Sequence, residues 1–392
     1  MRAAASHGGE MRVLLLAPRY PYPTTRGDQR RVLNFLRGLS NRCSVRLISF
    51  GNGPPIPIEN LETITVTRGA LPATIENLRH GDPRLPLQVR MYLDARMRRA
   101  VGRQLARFRP DVVHATLSRM APYLPSSGPW HRHLDLVDPA SVNMESRAQA
   151  MHGPGRIPFA TEAQLAASYE ARAAAMADSV SLVSEVDRTR ARALQRAAVI
   201  PIGVDQSAFP FAEPSERDPV LVFFGNLGYF HNLEPVRRAA REVLPRLRAR
   251  LRRASLRIVG ARPTPAVARL DQVPGAQLVG PVERIVDELH RAAVALLPIV
   301  SGSGMQNKLL EAFSAGTPVV TTRAAIRPIP AAQPGRHCLV GETADELADA
   351  CAALMTDRDL RVRIAREARE LADRHYGVEG QADALLELYG RR

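Results

Sequence analysis

The apolar residues of the chain recur in two alternating textures. MRVLLLAP at 11–18 is a short, near-continuous apolar run, the pattern of a strand covered on both faces. It leads into a loop containing Pro and Gly, RYPYPTTRGDQ, and then into a helical spacing through Val32, Leu33, Leu36 and Leu39. VRLISF at 45–50, DVVHAT at 111–116, HLDLVD at 133–138 and SVSLVS at 179–184 read as further strands, the last after an Ala-rich helix around 161–177. From 200 to 219 the periodicity gives way to proline, glycine and charge, the texture of a connection. A second series follows: VLVFFG at 220–225, a long helix 233–252, SLRIVG at 255–260, AQLVG at 276–280, a helix through 283–292, AVALLPIV at 293–300, a helix from about 305 to 315, TPVVTT at 317–322 and CLVG at 338–341. Helices rich in Ala, Leu and Arg close the chain from about 343.

Strands alternating with helices predict the α/β class, with parallel sheets covered on both faces. The expected organisation is an extension at 1–10, disordered or produced by a misplaced start, a doubly wound domain at 11–199, a linker at 200–219, a second such domain at 220–375 and a C-terminal helix at 376–392 that crosses back to the first domain. Ligands of open parallel sheets bind beyond the carboxyl ends of the strands. Two sheets facing each other would make a cleft with one ligand on each wall, a geometry suited to a transferase.

Composition changes this picture little. A chain of 392 residues with 45% apolar and 24% charged content is an ordinary globular protein. Its longest apolar run, AAVALLPIV at 292–300, is far short of the ~20 residues that span a bilayer, and no secretory h-region opens the chain, so a cytoplasmic location is expected. Cys43, Cys338 and Cys351 form no CxxC pair, lie near no histidine at ligand spacing and read as buried small hydrophobes. The formal charge of +15 invites nucleic acid or anionic lipid. That charge is spread along the chain, and the wholesale use of arginine suggests biased codon usage. Clustered aromatics and nucleic-acid-binding motifs are missing, so no nucleic-acid partner is expected. The stretch 88–110 reads as one helix with Val89, Tyr92, Leu93, Met97, Val101 and Leu105 on one side and seven arginines elsewhere. It either rests on anionic lipid or presents a solvated face. The only D-x-D, Asp357 to Asp359, reads as a surface helix boundary rather than a metal site.

Of the 54 Lys plus Arg residues, Lys308 alone is lysine. It sits in GSGMQNKLLEAF, where a buried strand should end and a helix begin. Gly302 and Gly304 let backbone approach a ligand, and the helix after them offers its positive dipole end to an anion. G-x-G alone fits a simple tight turn equally well, and neither the P-loop nor the G-x-G-x-x-G spacing is present. The lysine favours the anion site, because an ammonium survives a drift toward arginine where the planar fork does not fit, as beside a diphosphate. Glu311, three residues on, could accept hydrogen bonds from vicinal ribose hydroxyls. Together the two residues describe a nucleotide diphosphate.

GSGMQNKLLEAFSAGTPVVTT resembles the donor-site segment of the family 4 glycosyltransferases, which have the GT-B fold of two Rossmann-like domains facing a central cleft. PYPTTRGDQRRV, HLDLVDPAS, ADSVSLVSEVD, IPIGVD, VFFGNLGYFHN and RIVGARPTP extend the resemblance over nearly the whole chain, closest to the branch associated with bacterial exopolysaccharide and sugar-transfer clusters. It implies a retaining glycosyltransferase that moves a sugar from a nucleotide-diphosphate sugar to a hydroxyl acceptor, with no cofactor and no required metal. Glu311 matches the second glutamate of the family's E-x7-E motif and would hold the ribose. Gly302, Ser303, Gly304, Met305, Gln306 and Asn307 would face the diphosphate and sugar, and Val282 the base. Ser303 stands where the motif has its first glutamate.

Many relatives carry an Arg and a Lys after the strand corresponding to VFFG. Here Gly225 and Asn226 begin GNLGYFHN, with His231 and Asn232, so Lys308 and Arg262 are the expected replacements for the missing charge. On the first domain, Gly27 corresponds to the glycine loop that approaches the donor, and the flanking Arg26 and Asp28 would contact the acceptor or the donor. Asp138 occupies the strand end where many relatives place a histidine near the reacting sugar, and Ala140 replaces the following aspartate. With Lys308, Asp138 makes up the expected catalytic pair. His114 reads as structural. Three rivals remain open: a phosphorylase of related architecture with pyridoxal phosphate on Lys308, an idle nucleotide-sugar binder, and a nucleic-acid binder.

Overall fold

Each apolar run of the first series becomes a strand, and the first of them feeds two separate cores with its alternate residues. In β1 (Arg12–Ala17), Val13, Leu15 and Ala17 point to one face while Leu14 and Leu16 point to the other, and all five are fully buried. This double burial is why the run shows no polar alternation. The computed structural model describes residues 10–24, 26–68, 82–299 and 305–390. The chain divides into two compact units, one formed by residues up to Pro201 together with those from Gln381 onward, the other by Ile202–Gly380.

The first unit is a seven-stranded sheet in the order β3-β2-β1-β4-β5-β6-β7, with every described pairing parallel. Its strands are β1, β2 (Ser44–Phe50), β3 (Glu62–Val66), β4 (Val112–Thr116), β5 (His131–Val137), β6 (Ser179–Leu182) and β7 (Ala198–Val199). One face is covered by the helix Gly27–Ser40 through Val32, Phe35, Leu36 and Leu39, and by Leu385, Leu388 and Tyr389 of the C-terminal helix Val378–Gly390. The other face packs on the helices Ala95–Arg107 and Arg156–Met176.

The stretch expected as one helix over 88–110 is broken. Leu87–Arg90 is a single turn, and the second helix starts only at Ala95. Asp94 explains the break: its backbone is extended and its side chain accepts from the amide of Arg96 at 2.7 Å, an N-cap that begins a new helix. The Tyr123 hydroxyl wedges into the gap, donating to the Tyr92 carbonyl and accepting from the Asp94 amide at 2.8 Å. Val89, Tyr92, Met97 and Val101 are buried in the core, so the apolar side of this stretch is already occupied and its exposed side is the arginine-bearing one.

The second unit is a six-stranded parallel sheet in the order β10-β9-β8-β11-β12-β13. Its strands are β8 (Val220–Phe224), β9 (Ser255–Val259), β10 (Ala276–Gly280), β11 (Val294–Leu297), β12 (Val319–Thr321) and β13 (Leu339–Val340). The long helix expected at 233–252 starts at Phe230 and widens into a π-helical turn at Ala239–Val243 before ending at Arg250. Pro245, just after the wide turn, has no amide hydrogen to give, and a looser turn before it accommodates the ring. Residues 202–219, expected as part of a linker, belong to this unit: Val204 donates to the Tyr376 carbonyl at 2.7 Å, and buried Arg361 grips the carbonyls of Pro214 and Ser215 at 2.7 and 3.0 Å. Asp357 caps the helix Arg358–His375 by accepting from the amide of Leu360 at 2.9 Å. Among the described residues no helix is long and apolar enough to cross a membrane, and no group of three His, Cys, Asp or Glu side chains could hold a metal ion.

Candidate functional site

In the second sheet the strand order reverses between β8 and β11, and the carboxyl ends of that pair define the crevice where open α/β sheets take ligands. β8 runs out at Phe224 into Gly225, whose φ of +140° suits glycine. β11 runs out at Leu297. Gly302, Ser303 and Gly304, named as amide donors to a diphosphate, lie outside the described residues. Beyond them Met305 is buried, Gln306 sits at the N-cap position, and Asn307 and Lys308 open the helix Asn307–Ala315. Gly316 ends that helix in a left-handed conformation with φ +78°.

Lys308 reaches across the switch point. Its Nζ donates to the Oδ1 of Asn232, 76 residues away in sequence, and lies 5.0 Å from the centre of the buried Phe223 ring. Its tip passes so close to Gly225 that a Cβ there would stand 2.9 Å from Cε and 3.4 Å from Nζ. Glycine at 225 therefore makes room for the lysine. Asn232 is held in turn, its amide donating to the Asn226 carbonyl at 2.7 Å, while Asn226 Oδ1 accepts from the Gly228 amide at 3.0 Å. Burial lowers the pKa of Lys308 to about 7. A proton held so loosely is strongly retained once an anion arrives.

The other residues named for this wall take separate places. Glu311 is buried one helical turn beyond Lys308. Val282 is half-buried just past β10. Arg262 is exposed with φ +58°, and its carbonyl lies where a Cβ on Gly228 would meet it at 2.8 Å. Asn307 Oδ1 is buried without a hydrogen-bond partner among the described residues.

In the first unit the order reverses between β1 and β4. Gly27 opens the helix Gly27–Ser40, with Arg26 exposed before it and Asp28 in its first turn, ion-paired to Arg19. Asp138 follows β5. Its Oδ1 is shielded from water and has no hydrogen-bond partner among the described residues. Burial, with the nearby Asp187 carboxylate, pushes its pKa up to about 8, so it carries a proton at neutral pH. Below this edge lies a buried polar layer that the spacing of residues did not reveal. Arg31 pairs with Asp135 through two hydrogen bonds, 2.7 and 2.8 Å, and donates to the Ile200 carbonyl at 2.9 Å. Ser181 bridges Asp135 to His133 at 2.8 and 3.0 Å, and Ser179 links His133 to His131 at 2.7 Å each. His114, read as structural, sits in this layer with its Nδ1 2.6 Å from the Tyr389 hydroxyl.

Asn232 is the hydrogen-bond partner of Lys308 that sequence reasoning left out of the site. Its signal was the missing lysine after VFFG, since the ammonium absent there returns from Lys308 to the same strand end.

Solved structures share the fold over nearly the full chain. HepE of Anabaena, in complex with UDP and glucose, has a TM-score of 0.69 at 14% identity, covering 98% of this chain and 100% of that one. Sucrose-phosphate synthase from Thermosynechococcus elongatus gives 0.70 at 16%, covering 97% and 98%. The α,α-trehalose 6-phosphate synthase from Burkholderia multivorans gives 0.63 at 12%, covering 97% and 98%. No curated protein matches the sequence. Residues 218–357, which hold the whole Gly225–Asn232–Lys308 arrangement, match the family model described as glycosyl transferases group 1, and both parallel-sheet units together have the GT-B fold.

Proposed function

We propose that the chain is a family 4 glycosyltransferase of the exopolysaccharide and sugar-transfer branch, which moves a sugar from a nucleotide-diphosphate sugar to a hydroxyl acceptor with retention. The observation that carries this reading is the placement of the single lysine ammonium on Gly225, at the switch point of the unit matching the group 1 glycosyl transferases. The complex of HepE with UDP and glucose supports a nucleotide sugar as donor.

The bond between the anomeric carbon and the diphosphate oxygen breaks, and the bond to the acceptor oxygen forms on the same face. The acceptor's proton passes to the departing phosphate oxygen, so no pair of enzymic carboxylates is required. The protein's contribution is to stabilise charge on the leaving diphosphate. Lys308, held on target by Asn232, gains its full charge as the diphosphate arrives, and no metal is needed beside it. Glu311 takes the ribose. Asp138, protonated, donates a hydrogen bond to the reacting sugar or acceptor. The exposed arginines of the helix Ala95–Arg107 rest on the anionic inner face of the membrane, the protein being cytoplasmic.

The test is thermal stabilisation of purified protein by a panel of UDP-, GDP- and TDP-sugars. One or more should raise the melting temperature, Lys308→Ala should abolish the shift and Arg98→Ala should leave it. Equal shifts in both variants would count against the site, and absorbance in the Schiff-base region would favour a pyridoxal enzyme instead.

A further inference from the structure

The carboxyl edge of the first sheet carries guanidinium charge that its own residues do not neutralise. Arg19 lies two residues past β1 and Arg119 three residues past β4, on either side of the point where the strand order reverses. Arg19 is paired with Asp28. Arg119 forms no ion pair among the described residues: its guanidinium lies 5.0 Å over the Tyr92 ring, and its Nε is buried without a hydrogen-bond partner. Thr116 Oγ1, at the end of β4, is likewise buried without a partner among the described residues.

Acid that might have offset these cations is occupied or uncharged. Asp135 is taken by Arg31, Asp138 holds its proton, and Asp28 is shared between Arg19 and the field of Arg119. Two bulky residues, Leu117 at φ +68° and Val137 at φ +60°, hold strained backbone at the neighbouring ends of β4 and β5, where the Leu117 amide donates to the Asp135 carbonyl at 2.7 Å. Strained backbone of this kind gathers at functional sites. Here Ser118 and Arg119 follow one strained residue and Asp138 follows the other. A half-buried guanidinium without an ion pair among the described residues, in the field of a second one, suits an anion with several oxygens at fixed angles.

We propose that this edge binds a phosphate group on the acceptor, with Arg119 and Arg19 as its ligands, so that the hydroxyl compound glycosylated is a phosphorylated one. The word acceptor rests on the glycosyl-transfer reading; the anion site does not. The phosphate could belong to a soluble sugar or polyol phosphate or to a lipid headgroup, and the two are separable by experiment.

The test uses the full chain carrying Lys308→Ala, so that phosphate does not bind at the other switch point. Glycerol 1-phosphate is titrated by calorimetry, and phosphatidylcholine vesicles doped with phosphatidic acid are tested by sedimentation. At least one probe should bind. Arg119→Met, which keeps an unbranched apolar side chain at this position, should weaken it roughly tenfold or more, the scale of a lost charge-assisted hydrogen bond. Asp28→Asn should tighten it severalfold by freeing Arg19, a gain that no structural role for these residues would produce. Binding of neither probe, or binding unchanged in Arg119→Met, would overturn the proposal; vesicle binding that ignores Arg119 belongs to the arginines of Ala95–Arg107. Phosphate binding that depends on Arg119, in a protein whose lysine-bearing form takes no nucleotide sugar, would sink the reading of function and leave the anion site standing.

Discussion

Glycine at 225 and lysine at 308 are one device, because the second fits only where the first has no side chain. Gly225→Ala would place a methyl group 2.9 Å from the lysine Cε on a backbone of positive φ. The expected result is a stability loss on the order of 1 kcal/mol together with loss of stabilisation by nucleotide sugars, read in the same thermal-shift experiment. Asp138 makes a prediction of opposite character. Its pKa, about 8 in the folded protein against 3.8 for an ordinary aspartate, is raised by burial and by Asp187. A carboxyl that binds its proton more tightly when folded contributes stability that fades as pH rises between those two values. Asp138→Asn, which resembles the protonated acid, should therefore be more stable than the natural chain, by a margin that grows from pH 4 to pH 8 and is flat beyond; a margin independent of pH would rule out a neutral Asp138. The lysine was legible from composition, and the start of its helix from spacing. Asn232 and Arg119 were not, because their roles depend on which strands end side by side, and that is a property of the sheet rather than of any local run.

Among the elements, double burial made strands such as β1, β8 and β11 legible as continuous apolar runs, and the turn of glycine after the helix Asn307–Ala315 marked its end. β3 escaped notice because it lies at the sheet edge with mostly exposed residues, and β7 because two residues make no pattern. The stretch 88–110 was misread for a different reason: its apolar spacing continues across a capped break, so periodicity alone could not see that Asp94 starts a new helix. Asp94→Ala should cost about 1 kcal/mol of stability, the usual worth of such a cap, measurable by denaturant unfolding. No loss would mean that the Tyr123 hydroxyl alone holds the break.

At the scale of the whole chain, the last helix returns to the first unit and inserts Tyr389 against a histidine that burial keeps neutral. The pKa of His114 falls to about 4 from 6.5, first through burial and against the pull of Asp135; His133 is also pushed well below its ordinary value. A histidine that resists protonation when folded gives stability that is lost as pH drops from the unfolded value toward the folded one. Acidification from pH 6.5 to 4 should thus remove about 3 kcal/mol through His114 alone, and because Asp138 contributes a similar amount in the opposite direction over that range, unfolding curves of the Asp138→Asn chain at the two ends of it would measure the loss. An unchanged midpoint in that variant would mean that the histidine layer is already charged at neutral pH.

The single lysine also governs how the molecule meets reagents. With 53 of its 54 Lys and Arg side chains as guanidinium groups, the protein offers acylating agents and aldehydes one side-chain amine, half-deprotonated near neutrality beside Gly225 in its candidate donor site. Chemistry that decorates most proteins at random would find one side-chain address here besides the α-amino group.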